Sequence, residues 1–293
     1  MSTETGFNTD WLQERFVFDN RARNVEVENA CLSFFKHKKV LNIIDLGSGS
    51  GASFLYLVEK FSQDQHWTFV ELNPHLAKAS LDRIVAVAHQ KEWPLERKES
   101  LLNLQLPHSK VTIKVINGSF LELEDWVDLS TIDLATAAAV FDLLSLEMLH
   151  GLLHLLVQQE VSLLSTINYA GMRLAPGSPE DIYYADLYGK HMQRAQPFGS
   201  SLGPDCSKEM MAFFAKNNIK AMSGSSNWHV GPGDGAMHHF LMEYIEGAVP
   251  EMLSSASEIR RFNDWLQEKR ALMEKDSMEI EVLHFDLFAP GMI

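Results

Sequence analysis

Cysteine is almost missing from this chain. Cys31 and Cys206 are the only two in 293 residues, too few for a disulfide framework and without metal-ligand spacing. Such a chain suits a reducing compartment, so a cytoplasmic protein is expected. Long apolar runs are also missing. The most apolar region, 134 to 157, is interrupted by Asp142, Glu147, His150 and His154, and so reads as a strand and a helix, not a membrane span. Residues 1 to 10 are polar, and no signal peptide is expected from them. Basic residues are outnumbered 25 to 39 by acidic ones, giving a formal charge of −14. That balance disfavours a nucleic-acid partner. The densest basic run, 36 to 39, falls where a helix should end and suits the helix dipole. No metal site is expected, because His238 and His239 point to different sides of a helix. Repeats and low-complexity tracts are absent too. What remains is an ordinary globular composition, 46% hydrophobic and 22% charged.

The informative stretch is 40 to 51, Val-Leu-Asn-Ile-Ile-Asp-Leu-Gly-Ser-Gly-Ser-Gly. An apolar strand ends near Asp45, and glycines follow at 47, 49 and 51. Phe54, Leu55, Leu57, Val58 and Phe61 then mark one face of a helix. Glycine lets such a turn take positive φ and lets a ligand approach the backbone. The next apolar run, 66 to 72, ends in Glu71, whose carboxylate can accept two hydrogen bonds from a vicinal diol.

The D-x-G-x-G-x-G run with Glu71 after the second strand resembles class I S-adenosylmethionine-dependent methyltransferases. The tracts at 197 to 205 and 226 to 229 look like a bacterial branch of unknown substrate. The resemblance implies that Asp45, Gly47, Ser48, Gly49 and Gly51 lie against the amino-acid half of S-adenosylmethionine, with Glu71 and Leu72 at the ribose. It places Asn117, Gly118, Ser119 and Phe120 at the adenine, although many relatives carry an aspartate where Ser119 stands. Ala137 is expected beside the sulfonium, and S-adenosylhomocysteine is the implied product. Gly47-x-Gly49-x-x-Ala52 also satisfies a looser dinucleotide pattern, which Asp45 and the length of chain before the first strand disfavour. An NAD-dependent dehydrogenase therefore ranks behind a methyltransferase. A non-catalytic S-adenosylmethionine-binding protein, acting as a sensor or a subunit of a complex, is the other alternative.

Along the chain, residues 1 to 39 read as an N-terminal helical segment or lid, with one helix from 19 or 20 to about 36. Arg21 and Arg23 fall in its first turn, where a cation needs a reason. That reason is either solvation beside Glu26 and Glu28, or an anion such as the cofactor's carboxylate, which makes Arg23 a candidate. Residues 40 to 293 read as the cofactor-binding domain. Strands are expected at 40 to 46, 66 to 72, 111 to 116, 132 to 140 and 161 to 169, with extended chain at 219 to 230 and a last strand at 278 to 288. The stretch 89 to 110 reads as an inserted short helix or flap, and 170 to 204 as a second inserted lid. A helix is expected from 141 to about 159. The alternation implies a doubly wound α/β fold, with a mostly parallel seven-stranded sheet and helices on both faces. By the resemblance, the last strand runs antiparallel between its two predecessors.

Ligands of open α/β sheets lie beyond the carboxyl ends of the strands. That rule brings Asp142, Tyr169, His191 and Trp228 forward. Asp142 is either an acid facing the acceptor or a helix cap. Tyr169 can hydrogen-bond an acceptor, His191 can act as a base, and Trp228 can stack on a flat substrate. The expected partner is a small-molecule acceptor, with no nucleic acid and no membrane.

Overall fold

The computed structural model describes residues 9 to 98, 101 to 196 and 199 to 291. Pro197 and Phe198, part of the tract noted above, lie outside the described residues. Helices α1 (Thr9–Ala22) and α2 (Val25–Phe35) lead into β1 (Val40–Leu46), α3 (Ala52–Leu57), β2 (Asp64–Glu71) and α4 (Pro74–Gln90). Next come β3 (Leu95–Lys98), β4 (Leu101–Gln105), β5 (Lys110–Asn117), α5 (Leu123–Trp126), β6 (Leu134–Ala138), α6 (Leu146–Gln158) and β7 (Ser162–Leu174). The chain continues through α7 (Pro179–Met192), β8 (Ala195–Gln196), β9 (Gly199–Ser200), α8 (Cys206–Lys216), β10 (Met222–Ser225) and β11 (Trp228–Val230). It ends with α9 (Gly235–Ala248), α10 (Ala256–Glu274) and β12 (Ile280–Ala289).

Strand order is β10-β12-β7-β6-β1-β2-β5-β4-β3. The pairs β1–β2, β1–β6, β2–β5 and β6–β7 are parallel, and β12 is antiparallel to both β7 and β10. The seven expected strands and the reversed last strand are therefore present. Three expectations are corrected. The N-terminal helix is two helices, because Asn24 leaves the helical conformation and its Oδ1 accepts the N–H groups of Glu26 and Val27, starting α2 afresh. The stretch 89 to 110 is not a helical flap. It carries the hairpin β3–β4, which pairs antiparallel with β5 and buries Leu102 and Leu104. Phe141–Leu143 is a 3-10 turn, and α6 starts only after Ser145 caps it at the Met148 N–H.

One core lies between the sheet and α6 and α8, around Leu149, Leu153, Met210 and Phe213. Another lies on the opposite face, where Val27, Cys31, Phe54 and Ile84 cover Ile43, Trp67 and Phe69. A third has no counterpart in the sequence reading. Strand β7 runs past the end of β6 to Leu174, paired there with β12, and α1, α7, α9, α10 and β11 pack around this projecting ladder. The segment expected as a lid at 170 to 204 is thus largely strand and packed helix.

The ladder leaves the sheet at a strained residue. Ile167 has φ of 55°, unusual for a β-branched side chain. Its N–H donates to Asp286 Oδ1 at 2.8 Å, while Asp286 Oδ2 accepts the N–H of Asn24 at 2.8 Å. Asp286→Ala would strand two N–H groups, each worth ~1–3 kcal/mol when left unpaired. Urea unfolding should show a loss of about 2–4 kcal/mol; a midpoint unchanged within error would mean that other groups hold this junction.

Candidate active site

The glycine turn closes against the end of β2. The N–H groups of Gly47 and Ser48 donate to Val70 O at 2.9 and 3.3 Å. The Gly49 N–H donates to Glu71 Oε2 and the Asn73 N–H to Glu71 Oε1, both at 2.8 Å. Glu71 therefore ties the turn to the chain after β2 and keeps further lone pairs on each oxygen. Gly47 sits at φ 63°, and a Cβ there would meet Val140 at 3.1 Å, so the turn and the end of β6 approach as only glycine permits. The Asn117 amide donates to the carbonyls of Glu71 and Leu72, fixing the neighbouring strand end. Ser119 Oγ accepts the Leu121 N–H and keeps its own hydroxyl proton to donate. Gly118 lies under the Trp126 indole, and Leu72 is 60% exposed beside Glu71.

A cavity of about 220 Å³ opens here, between the turn at Gly47–Ser50, Glu71, Phe120 and the segment Ala138–Val140. Ala137 is buried beneath that segment. The cavity's remaining wall comes from α1, through Arg15 and Asp19. Two polar atoms beside the turn are buried without a partner, Asp45 Oδ2 and Ser48 Oγ. Asp45 Oδ1 accepts the Thr136 hydroxyl at 2.7 Å. Arg23 is also buried; its Nη1 donates to Thr166 Oγ1 at 2.5 Å, and its Nε has no partner.

Next to the cavity lies a group of aromatic and ionisable side chains. Arg15 pairs with Asp19 at 3.1 Å and lies over the rings of Trp11 and Trp228. The Trp228 indole N–H donates to Asp19 Oδ1 at 3.1 Å, and its ring packs on His284 at 4.8 Å. Asp142 is buried, and its Oδ1 is unpartnered. Since Ser145 caps α6, Asp142 is not the helix cap. Burial pushes its carboxyl up to about 6, against its own backbone amide and the Arg15 charge. The Tyr169 hydroxyl is likewise buried and unpartnered, and burial raises its pKa well above the usual value, with Tyr188, Asp142 and Asp186 adding to the effect. Burial holds His284 near 3, aided by Arg15, so its ring is neutral.

Of the four residues placed at the acceptor side by the strand-end rule, the fold gathers Asp142, Tyr169 and Trp228 around this group. It does not bring His191 there: its Nε2 faces Glu251 Oε2 at 3.2 Å, and it does not line the cavity. Arg15, Asp19, Tyr188 and His284 were missed by sequence reasoning. For the α1 pair the signal was the spacing 11, 15, 18, 19, one helical stripe in which two positions are charged. Among the described residues, no cluster of three or more His, Cys, Asp or Glu could hold a metal ion, and no helix is long and apolar enough to cross a membrane.

Burial pushes the Asp45 carboxyl up to about 7; Thr136, Arg23 and Ser53 oppose the shift and Glu71 adds to it. The folded chain thus keeps a proton that the unfolded chain releases in the usual carboxylate range. The stability tied to that proton is complete at low pH and is lost as pH rises through about 7. Urea midpoints of wild type and Asp45→Asn should show the wild type losing about 2 kcal/mol relative to the variant from about pH 5 to about pH 8. A constant difference would mean that Asp45 titrates as an ordinary acid. His284 shifts the opposite way but cancels in the comparison.

No protein-family model matches the chain, and no curated protein matches it. Solved structures do. YcgJ from Bacillus subtilis aligns at 11% identity and a TM-score of 0.47, over 92% of this chain and 100% of its own. Precorrin-6y C5,15-methyltransferase from Geobacter metallireducens aligns at 10% and 0.44, over 91% and 88%. Neither likeness is strong enough to argue from. A cyclopropane-fatty-acyl-phospholipid synthase-like protein from Lactobacillus casei aligns at 12% identity and a TM-score of 0.52, over 97% of this chain and 94% of its own. With the strand order above, that match gives the chain a Rossmann-like α/β fold, with the cavity beyond the carboxyl ends of the parallel strands, where ligands of open α/β sheets bind.

Proposed function

We propose that the protein is an S-adenosylmethionine-dependent methyltransferase acting on a small-molecule acceptor. The observation that carries this reading is the cavity bounded by the glycine turn, Glu71 and the small residues Ala138 and Ala139 at the carboxyl ends of β1, β2 and β6. Unpartnered buried oxygens at Asp45 and Ser48 fit a polar ligand seated there. When bound, the cofactor supplies a methyl group already activated on a sulfonium. Glu71 has lone pairs to accept both ribose hydroxyls, and the Ser119 hydroxyl is free to donate to the adenine. Leu72 and Phe120 offer apolar surface to its faces, with Asn117 and Gly118 shaping the edge. Ala138 and Ala139 let the sulfonium lie close to the backbone.

On the acceptor side, Asp142, with its carboxyl raised to about 6 by burial, is suited to take a proton from an acceptor O–H or N–H. The Tyr169 hydroxyl stays protonated and can orient the acceptor by donating to it. Trp228 has Arg15 over its ring, His284 packed against it and Asp19 on its indole N–H, which suits a wall better than a stacking platform. His191 has no part in this scheme. Helix α1 closes the cavity from above and keeps water from the reacting atoms.

The cofactor half of the reading is tested by calorimetry with S-adenosylhomocysteine. Wild type should bind, and Glu71→Ala should bind about 1.5–3 kcal/mol more weakly through the lost charged hydrogen bonds. Because Glu71 also holds the turn, Glu71→Gln serves as a control that keeps one oxygen acceptor. Wild-type protein that does not bind at all would refute the proposal.

The acceptor half is tested on Asp142→Asn, by following transfer of labelled methyl from S-adenosylmethionine into a small-molecule filtrate of cell extract. Turnover should fall by ~10²–10⁴-fold while S-adenosylhomocysteine affinity stays the same. Full turnover in the variant would remove Asp142 from proton transfer.

A further inference from the structure

The cavity at the glycine turn is too small to hold two ligands. Ligand pockets span roughly 300–1,000 Å³, and this one measures about 220 Å³. A second cavity, of about 700 Å³, lies between residues 169 to 174 of β7 and the face of α7 that carries Ile182, Asp186 and Lys190. The two cavities are neighbours. Val140 and Leu143 line the smaller one, and Tyr169 and Asp205 line the larger. The 3-10 turn that carries Asp142 packs both on β7 and on the turn Gly203–Asp205, so Asp142 stands between them.

One wall of the larger cavity is an open strand edge. Strand β6 stops at Ala138, opposite Thr166, while β7 runs on to Leu174 with β12 on its other side. The Ala175 N–H donates to Glu279 O at 3.0 Å, next in register to Leu174–Ile280, Arg173–Glu281 and Met172–Val282. Bonded and non-bonded pairs alternate along an antiparallel ladder. Arg173 is therefore bonded to β12, and the N–H and C=O groups of Met172 and Leu174 turn to the side that β6 has left. Among the described residues these four groups have no partner. Arg173, the one charged residue from 169 to 174, pairs across the ladder with Glu281 at 3.0 Å. An edge of this kind pairs with another extended chain, whose donors and acceptors recur every two residues, roughly 7 Å.

We propose, resting on the methyltransferase reading, that the methyl acceptor is a short extended peptide that pairs with Met172 and Leu174 on this edge and meets the methyl group beside Asp142 and Tyr169. Asp186 and Lys190 stand one turn apart on α7 and both line the cavity. Neither takes part in an ion pair among the described residues, so both are free for the charged ends of such a peptide. At the reacting end, a peptide O–H or N–H gives its proton to Asp142 while its lone pair takes the methyl group. The sulfonium leaves as the neutral thioether of S-adenosylhomocysteine.

Cys31 and Cys206 are both buried, so a cysteine placed in the cavity can be modified alone. Ile182, exposed on α7, serves for this, with Glu96→Cys on β3 at the other edge of the sheet as the control. Each variant of the full chain is assayed before and after reaction with a bulky maleimide. Two quantities are read: transfer of labelled methyl from S-adenosylmethionine into a small-molecule filtrate of cell extract, and affinity for S-adenosylhomocysteine. Modifying Ile182→Cys should cut transfer at least about tenfold and leave the affinity unchanged, while modifying Glu96→Cys should change neither. Digesting the filtrate beforehand with peptidases, then removed by ultrafiltration, should cut wild-type transfer at least about tenfold. Full transfer by modified Ile182→Cys would overturn the site, and full transfer into digested filtrate would overturn the peptide; either leaves the methyltransferase reading standing. Affinity for S-adenosylhomocysteine lost on modification would put the cofactor in this cavity and overturn the site as well. A wild type that transfers no methyl into the filtrate would overturn both readings.

Discussion

The buried carboxylate of Asp286 fixes where the parts of this molecule meet. It lies on β12, accepts the Ile167 N–H from β7 and accepts the Asn24 N–H from the break between the first two helices. Burial raises its pKa, and Arg23, these two N–H groups and Ser226 act against the shift. A carboxylate can accept several hydrogen bonds from different directions, so one side chain on β12 can tie β7 to the break between α1 and α2. The positive φ of Ile167 persists because this acceptor waits for its N–H. From that point β7 and β12 run on past the end of β6 as a paired ladder, with β11 added on the β12 side. The third core forms on the ladder, and α1 forms the roof of the cavity.

The two halves of the candidate site thus have different origins. The cofactor side is local: a strand, a turn and an acid, closed by hydrogen bonds between neighbouring strand ends. The acceptor side is assembled from afar. Asp142 comes from a 3-10 turn after β6, Tyr169 from the ladder, Trp228 from β11, His284 from β12 and Arg15 from α1. None of these residues neighbours another in sequence, and their grouping depends on a ladder whose register shifts on either side of His284–Phe285.

This difference explains what could be read in advance. Asp45, the glycines and Glu71 were legible because a turn that needs positive φ and a carboxylate at a strand end leave marks at fixed spacing. The mostly parallel sheet followed from the alternation of elements, and the reversed last strand from the resemblance. Helix α1 was not legible, because the face it buries contains Arg15 and Asp19 beside Trp11 and Phe18, which erases the apolar period. Its end was missed for a related reason. Asn24 looks like any helical polar residue until its side chain is seen capping α2. The hairpin β3–β4 did leave a signal, the alternation of Leu102, Leu104 and Leu106, but in a charged stretch it passed for a flap. His191 was brought forward by the strand-end rule as part of the segment after β7, and the fold points it at Glu251.

Charge ties these observations together. The strand ends around the cavity contribute acids, Asp45, Glu71 and Asp142, in keeping with a chain of net charge −14. The cations that answer them, Arg15 and Arg23, both come from the N-terminal stretch, and each lies against aromatic rings, Trp11 and Trp228 for one, Tyr56 for the other. A guanidinium stacked this way keeps its charge in a desolvated place, where an ammonium would lose more hydration. Arg15 holds down the pKa values of Asp142 and His284, and Arg23 holds down that of Asp45. Removing the N-terminal stretch would therefore do more than uncover the cavity. It would leave Asp45 and Asp142 without the charges that oppose their burial, and burial would favour their protonated forms. Two arginines ahead of the first strand fold back over these two acids and oppose what burial does to them.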